Sequence, residues 1–158
     1  MDFMAKTPQE ARLQVAALPI RWKDGKLRVL LITSRTTRRW IIPKGWPMTD
    51  LSFPEAAAIE AQEEAGVVGQ VLTTPLGHYH YRKVLSETES CLCKVTVYPL
   101  IVDRLEECWK EQDERTRRWV SAKEAVAHVQ EPELAAILRV LGKQCRSRAD
   151  LEALGAPS

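Results

Sequence analysis

Apolar residues come in two nearly continuous runs near the start of the chain, residues 14–22 and 27–34, separated by Lys23-Asp24-Gly25-Lys26. Strand-forming runs on either side of an Asp-Gly pair predict a β-hairpin. A short strand is predicted at 40–43, after which Lys44-Gly45-Trp46-Pro47 breaks regular structure into a loop. Ser52-Phe53-Pro54-Glu55 then has the marks of a helix start: a Ser cap, a proline in the first turn and a Glu three residues after the cap. The spacing predicts a helix over 53–65, stopped by Gly66. Residues 67–80 and 90–104, rich in Val, Thr, Tyr and Leu, predict strands joined by a polar turn at 83–89. Ser121-Ala122-Lys123-Glu124 repeats the capping pattern ahead of 125–129, and Pro132 opens a last helix through about Lys143. Strands and helices in this order predict an α/β sandwich, with helices on both faces of a mixed sheet.

Composition narrows the class. The chain has 158 residues, 45% hydrophobic and 28% charged, with no low-complexity linker, which predicts one domain over 1–158 with its core at about 14–143 and frayed ends at 1–11 and 146–158. A formal charge of +2 excludes a non-specific nucleic-acid coat, so no DNA partner is expected. The longest apolar run, 15–20, contains Pro19 and falls far short of the roughly 18 residues of a membrane helix, so no membrane partner is expected. The start of the chain lacks the apolar stretch of a secretory signal, and a cytoplasmic location is the expectation. Cys91 and Cys93 have no second close pair to complete a zinc site, and Cys108 and Cys145 stand alone, so the four cysteines are expected as reduced thiols.

The helix over 53–65 has an unusual charge arrangement. With about 100° per residue, Glu60, Glu63 and Glu64 share one arc, while Ala58, Ala61 and Ala65 form a small apolar stripe opposite. All three acids lie in the last two turns, where the helix dipole favours cations, and their mutual repulsion adds to the conflict. A bound cation would reverse the sign, and fixed carboxylates suit Mg²⁺, or Mn²⁺, which also bind substrate phosphates. A solvated acidic face is the other reading of the same cluster.

Gly45, Glu60, Glu63, Glu64, Gly66 and Val67, at these spacings, resemble the signature of the Nudix hydrolases, G-x(5)-E-x(7)-R-E-U-x-E-E-x-G-U. Two positions depart from it: Leu51 stands where the signature has its first Glu, and Ile59 where it has Arg. The resemblance covers about residues 14–141 and implies a Nudix-type α/β/α sandwich with a mixed β-sheet. Within that family, residues 29–32, 39–43, 97–102 and 115–120 are similar to the diphosphoinositol-polyphosphate phosphohydrolase group, although Lys44-Gly45-Trp46 replaces the glycine-rich loop common there.

The resemblance implies a Mg²⁺-dependent pyrophosphohydrolase acting on an anionic, polyphosphorylated small molecule such as a diphosphoinositol polyphosphate or a dinucleoside polyphosphate. Glu60, Glu63 and Glu64, with the main-chain carbonyl of Lys44, are the implied metal ligands. Glu63 is favoured as the general base, with Glu60, Glu64 and Glu111 left as alternatives because geometry decides that role. Arg35, Arg38, Arg39, Lys44, Gly45, Lys94, Arg115 and Arg117 are the expected phosphate-binding residues, with Arg118 and Arg82 as further candidates. His78 and His80 are read as sheet residues, Trp46 as packing over the sheet edge, and Trp22, Trp40, Trp109 and Trp119 as core or edge packing. Two rival functions remain from sequence: a nucleotide-binding module weakened in catalysis at Leu51 and Ile59, and an mRNA-cap hydrolase.

Overall fold

The structure, a computed structural model, describes residues 10–154. Eight strands form one sheet, with β1 (Arg12–Lys23), β2 (Lys26–Thr33), β3 (Trp40–Ile41), β4 (Lys44–Gly45), β5 (Val67–Val71), β6 (Gly77–Val84), β7 (Ser90–Leu105) and β8 (Arg117–Ser121). The helices are α1 (Phe53–Ala65), α2 (Ala122–His128), α3 (Pro132–Gln144) and α4 (Arg148–Leu154). The path β3-β2-β1-β7-β5 runs across the sheet, with β4 on β1, β6 on β7 and β8 on β2. Among the described residues only the β1–β7 pair, Arg12↔Cys93 through Ile20↔Ile101, is parallel, so the sheet is mixed as predicted.

Alternation along β1 distributes the core. Val15 and Ala17 face one side with Ala56, Ala57, Ala61 and Ala65 of α1, while Ala16, Leu18 and Ile20 face the other with Leu134, Leu138 and Leu141 of α3. Helices therefore cover both faces of the sheet. Small residues on α1 let the helix lie close to the strands. The buried stripe is Ala56, Ala57, Ala61 and Ala65; Ala58 is only half-buried, and Glu64 is buried with the stripe rather than exposed on the opposite arc.

Four sequence expectations need correction. Residues 67–80 are two strands, because Thr73-Thr74-Pro75 interrupts them; Leu72 and Leu76 still donate to Pro99 and Val97 of β7 on either side of the gap. Lys44 and Gly45 form β4, paired with Ala16 and Val15, instead of breaking regular structure. The second helix begins at Ala122, directly after its Ser121 cap. The segment from Arg146 is not frayed over its described length: α4 buries Leu151 to 3% exposure, and Arg148 bridges Glu152 at 2.9 Å. The expected fraying of 1–11 falls almost wholly outside the described residues.

Candidate active site

Helix α1 begins with the predicted capping box: Ser52 Oγ accepts from the Glu55 amide at 3.2 Å, and the Glu55 carboxylate accepts from the Ser52 amide at 2.9 Å. It ends at Gly66, which has a φ of 66° and where a Cβ would approach Arg117 Nη1 to 2.8 Å. No basic residue lies in the last turn of α1. The loop between β7 and β8, with Arg117 at the start of β8, supplies the missing partners. Glu63 O accepts from the Glu111 amide at 3.1 Å, Glu64 O from Trp109 Nε1 at 3.1 Å, and Ala65 O from Arg117 Nη1 at 2.9 Å. Carbonyls that a helix end leaves without partners are thus satisfied from outside the helix, and the Arg117 cation lies at the negative end of its dipole.

At the other flank of α1, β4 carries Lys44 past Glu64 and Gly45 past Glu60. The Lys44 amide donates to Glu64 Oε1 at 3.3 Å. A Cβ on Gly45 would stand 2.4 Å from the Glu60 carboxyl carbon, so only glycine leaves that carboxyl its position. The carboxyls of Glu60 and Glu64 are within hydrogen-bonding reach of each other. Burial, then the hydrogen bond it donates to Glu60, pushes Glu64 up to about 8, against the opposing charges of Arg115 and Lys44. Burial also raises Glu60, aided by the charges of Glu63 and Glu111. Lys44 is lowered to about 8 by its own burial, and its Nζ lies 4.7 Å from the centre of the Tyr81 ring.

These groups line a small polar pocket of about 200 Å³ with Gln14, Arg35, Trp46, Lys83, Glu111 and Arg115. Three carboxyls and four cations thus face one space. Arg115, its side chain 7% exposed, bonds Glu111 Oε1 at 2.9 Å and Thr33 O at 3.0 Å, and reaches Glu64 at 3.7 Å. Glu63 lies outside the lining, its carboxylate 3.6 Å from Lys110. Among the described residues no three potential ligand side chains converge on one point. The donor set nevertheless suits a hard cation: two carboxyls packed together under burial, in a cradle kept open by Gly45.

The other expected phosphate-binding residues lie elsewhere. Arg38 bonds Glu114 O and Thr116, Arg39 pairs with the buried Glu131 at 3.0 Å, Lys94 is exposed on β7 opposite His80, and Arg117 stacks on Trp109 at 3.8 Å while capping α1. Arg118, on β8, and Arg82, bonded to Ser90, also lie outside the lining. Trp46 is 39% exposed and lines the polar pocket. Trp22, Trp40 and Trp119 pack against the two cores as expected. His78 and His80 bond Thr96 and Glu133 and serve the sheet. Sequence reasoning missed Gln14, Tyr81 and Lys83. A buried glutamine within an apolar strand and a Tyr-x-Lys alternation on β6 were the signals for them.

A family profile described as NUDIX domain matches residues 11–141. The chain belongs to the Nudix family. Among curated relatives it is 35% identical over 144 residues to Nudix hydrolase 13, mitochondrial, of Arabidopsis thaliana, covering 85% of this chain and 71% of that protein. It is 36% identical over 135 residues to Nudix hydrolase 16, mitochondrial, of the same plant, covering 77% and 74%. Among solved structures, a C. elegans Ap4A hydrolase binary complex aligns with a TM-score of 0.61 at 18% identity, over 91% of this chain and 97% of that one. The NUDIX domain of Shewanella oneidensis NrtR complexed with ADP ribose aligns with a TM-score of 0.59 at 15% identity, over 88% and 93%. The Nudix α/β/α sandwich predicted from the sequence is the fold of the chain, and the Nudix hydrolase relatives make it a pyrophosphohydrolase. Divalent metal ions are the general cofactors of that family. Among the described residues no helix is long and apolar enough to cross a membrane.

Proposed function

We propose that this Nudix hydrolase cleaves a phosphoanhydride bond in a polyphosphorylated small molecule, a dinucleoside polyphosphate or a diphosphoinositol polyphosphate, with Mg²⁺ as cofactor and Mn²⁺ as a substitute. The observation that carries this reading is the polar pocket where Glu60, Glu64 and Glu111 face Arg35, Lys44, Lys83 and Arg115. Acids and cations in one small space suit a metal–polyphosphate complex, which needs oxygen ligands for the ion and positive partners for the remaining phosphate charge. The pocket is too small for a nucleobase as well, so it fits the phosphate chain while the rest of the substrate lies beyond Trp46. An Ap4A hydrolase and an ADP-ribose complex among the structural neighbours favour a nucleotide-containing substrate over a diphosphoinositol polyphosphate.

Glu60 and Glu64, joined by Glu63 and the Lys44 carbonyl, would hold the ion. An ion held by these residues would supply charge neutralisation for the phosphate oxygens and a more acidic water. Glu63 is the proposed proton acceptor, since of the three acids in the last two turns of α1 it is the one outside the Glu60–Glu64 pair. Lys44, Lys83 and Arg35, the other cations of the lining, would meet the phosphate oxygens. Arg115 positions Glu111 and Glu64 rather than binding substrate.

A panel of dinucleoside polyphosphates, diphosphoinositol polyphosphates, nucleoside triphosphates and nucleotide sugars tests this reading through phosphate release. Turnover should require Mg²⁺ and fall by about 100-fold or more in Glu63→Gln and Glu64→Gln. Full activity in both variants, or turnover in excess chelator, overturns it.

A further inference from the structure

A second concave surface lies at the opposite end of the sheet from the polar pocket. It is a cleft of about 770 Å³ between the β1–β2 turn, α2 and α3. Gln14 of the pocket and Lys23 beside the cleft are the two ends of nine residue steps along β1, roughly 30 Å at strand rise. The two sites share no lining residue.

The chemistry of this cleft is uneven. Its floor is apolar, made by Val126 and the edges of Leu27 and Ala122. Gly142 lets α2 and α3 meet closely beneath the cleft, because a Cβ there would stand 2.8 Å from the Ala122 Cβ. An exposed glycine inside α3 weakens the helix relative to alanine, and the close approach of α2 is the structural reason for it. Lys26, Lys123, Arg139, Lys143 and Arg146 stand around the rim, all exposed. Among the described residues none of the five cations forms an ion pair. Asp24 is the only acid in the lining, and the nearby Asp150 is engaged by the Arg146 amide at 2.8 Å.

We propose that this cleft docks a short acidic segment of a partner protein, one apolar side chain entering the floor and flanking carboxylates meeting the ring of cations. Charge complementarity selects the acidic character, and the apolar floor selects an anchor residue. No aromatic ring lines the cleft, so it offers no platform on which nucleic-acid bases would stack. Its floor is recessed between two helices, out of reach of a flat lipid surface.

The test pans the full chain against a displayed library of random dodecapeptides and titrates the enriched peptides into ¹⁵N-labelled protein. The expected peptides carry several carboxylates around one apolar residue and shift the amides of Lys26, Val126, Arg139 and Gly142. Raising salt from about 50 to about 300 mM should weaken them by about tenfold. The double variant Lys123→Glu/Arg139→Glu should weaken them by a similar factor while leaving diphosphate hydrolysis within about twofold. The charge-neutral pair Lys123→Gln/Arg139→Gln reads the same effect if the reversal perturbs folding. Enriched peptides without acids, shifts confined to other surfaces, or unchanged binding in the neutral pair would overturn the proposal. So would tighter occupation of the same residues by an oligothymidylate or by phosphatidylserine vesicles. Because hydrolysis is read separately, failure here is distinguishable from failure of the enzymatic reading.

Discussion

The guanidinium of Arg117, on β8, donates to the main-chain carbonyl of Ala65 at 2.9 Å, placing a cation at the C-terminal pole of the helix that carries Glu60, Glu63 and Glu64. The dipole conflict visible in the sequence is thus answered by a residue 52 positions away. Arg117→Met should lower stability by about 2 kcal/mol, the charge-assisted bond and the dipole contribution together, with a smaller change in KM than in the unfolding midpoint. Urea denaturation beside steady-state kinetics checks this. A KM effect with unchanged stability would restore Arg117 as a phosphate clamp.

Glu64 gives stability a definite pH slope. Its folded pKa is raised from 4.5 to about 8, so between those values the folded protein holds a proton that the unfolded chain has released. Stability must then fall as pH rises across that window. In chelator, Tm should decline from about pH 5 to about pH 8, and Glu64→Gln should flatten the decline. Lys44, lowered from 10.5 to about 8, contributes the opposite slope, and only above that value. Thermal scans at stepped pH separate the two. Added Mg²⁺ should raise Tm more at the alkaline end, where the pair more readily gives up its proton.

Gly45→Ala separates site from scaffold. The new methyl would meet the end of the Glu60 side chain, which can move, so the fold should persist with Tm changed by only a few degrees. Turnover should drop by about tenfold or more, because the displaced carboxyl is a proposed metal ligand. Gly69→Ala is the control: its Cβ would stand 2.1 Å from the Ile101 carbonyl oxygen, and backbone cannot step aside. That variant should lose about 2 kcal/mol or more of stability.

Arg115→Met should be among the most destabilising changes near the pocket, at about 3 kcal/mol, because it leaves Glu111 without its buried partner and Thr33 O without its donor. The double variant Arg115→Met/Glu111→Gln should recover part of the loss. Equal stability of the two variants would show that the pair contributes little.

The sandwich, the α1 capping box and the Gly66 stop were legible because each rests on local chemistry: an Asp-Gly turn, a Ser-x-x-Glu cap, a left-handed glycine. The Glu60–Glu64 pair was legible for the same reason, since helical spacing fixes it. Harder to read was anything decided by a distant partner. Arg38, Arg39 and Arg117 had the right charge to bind phosphate, but Glu114, Glu131 and Ala65 claim them, and no local pattern announces those contacts. Glu64 was placed on a shared acidic face, yet the β4 strand that buries it was itself read as a loop. Leu151 anchors a helix in a segment rich enough in polar residues to be read as a tail.

The single parallel pair has a consequence for how the protein is made. Strands β1 and β7 meet in register across roughly eighty residues of intervening chain. A nascent polypeptide leaving the ribosome therefore carries an open-edged β1–β2 hairpin through most of its synthesis and closes the centre of its sheet only once residue 101 clears the exit tunnel. During that interval the apolar run of β1 is the segment a chaperone would have to shelter.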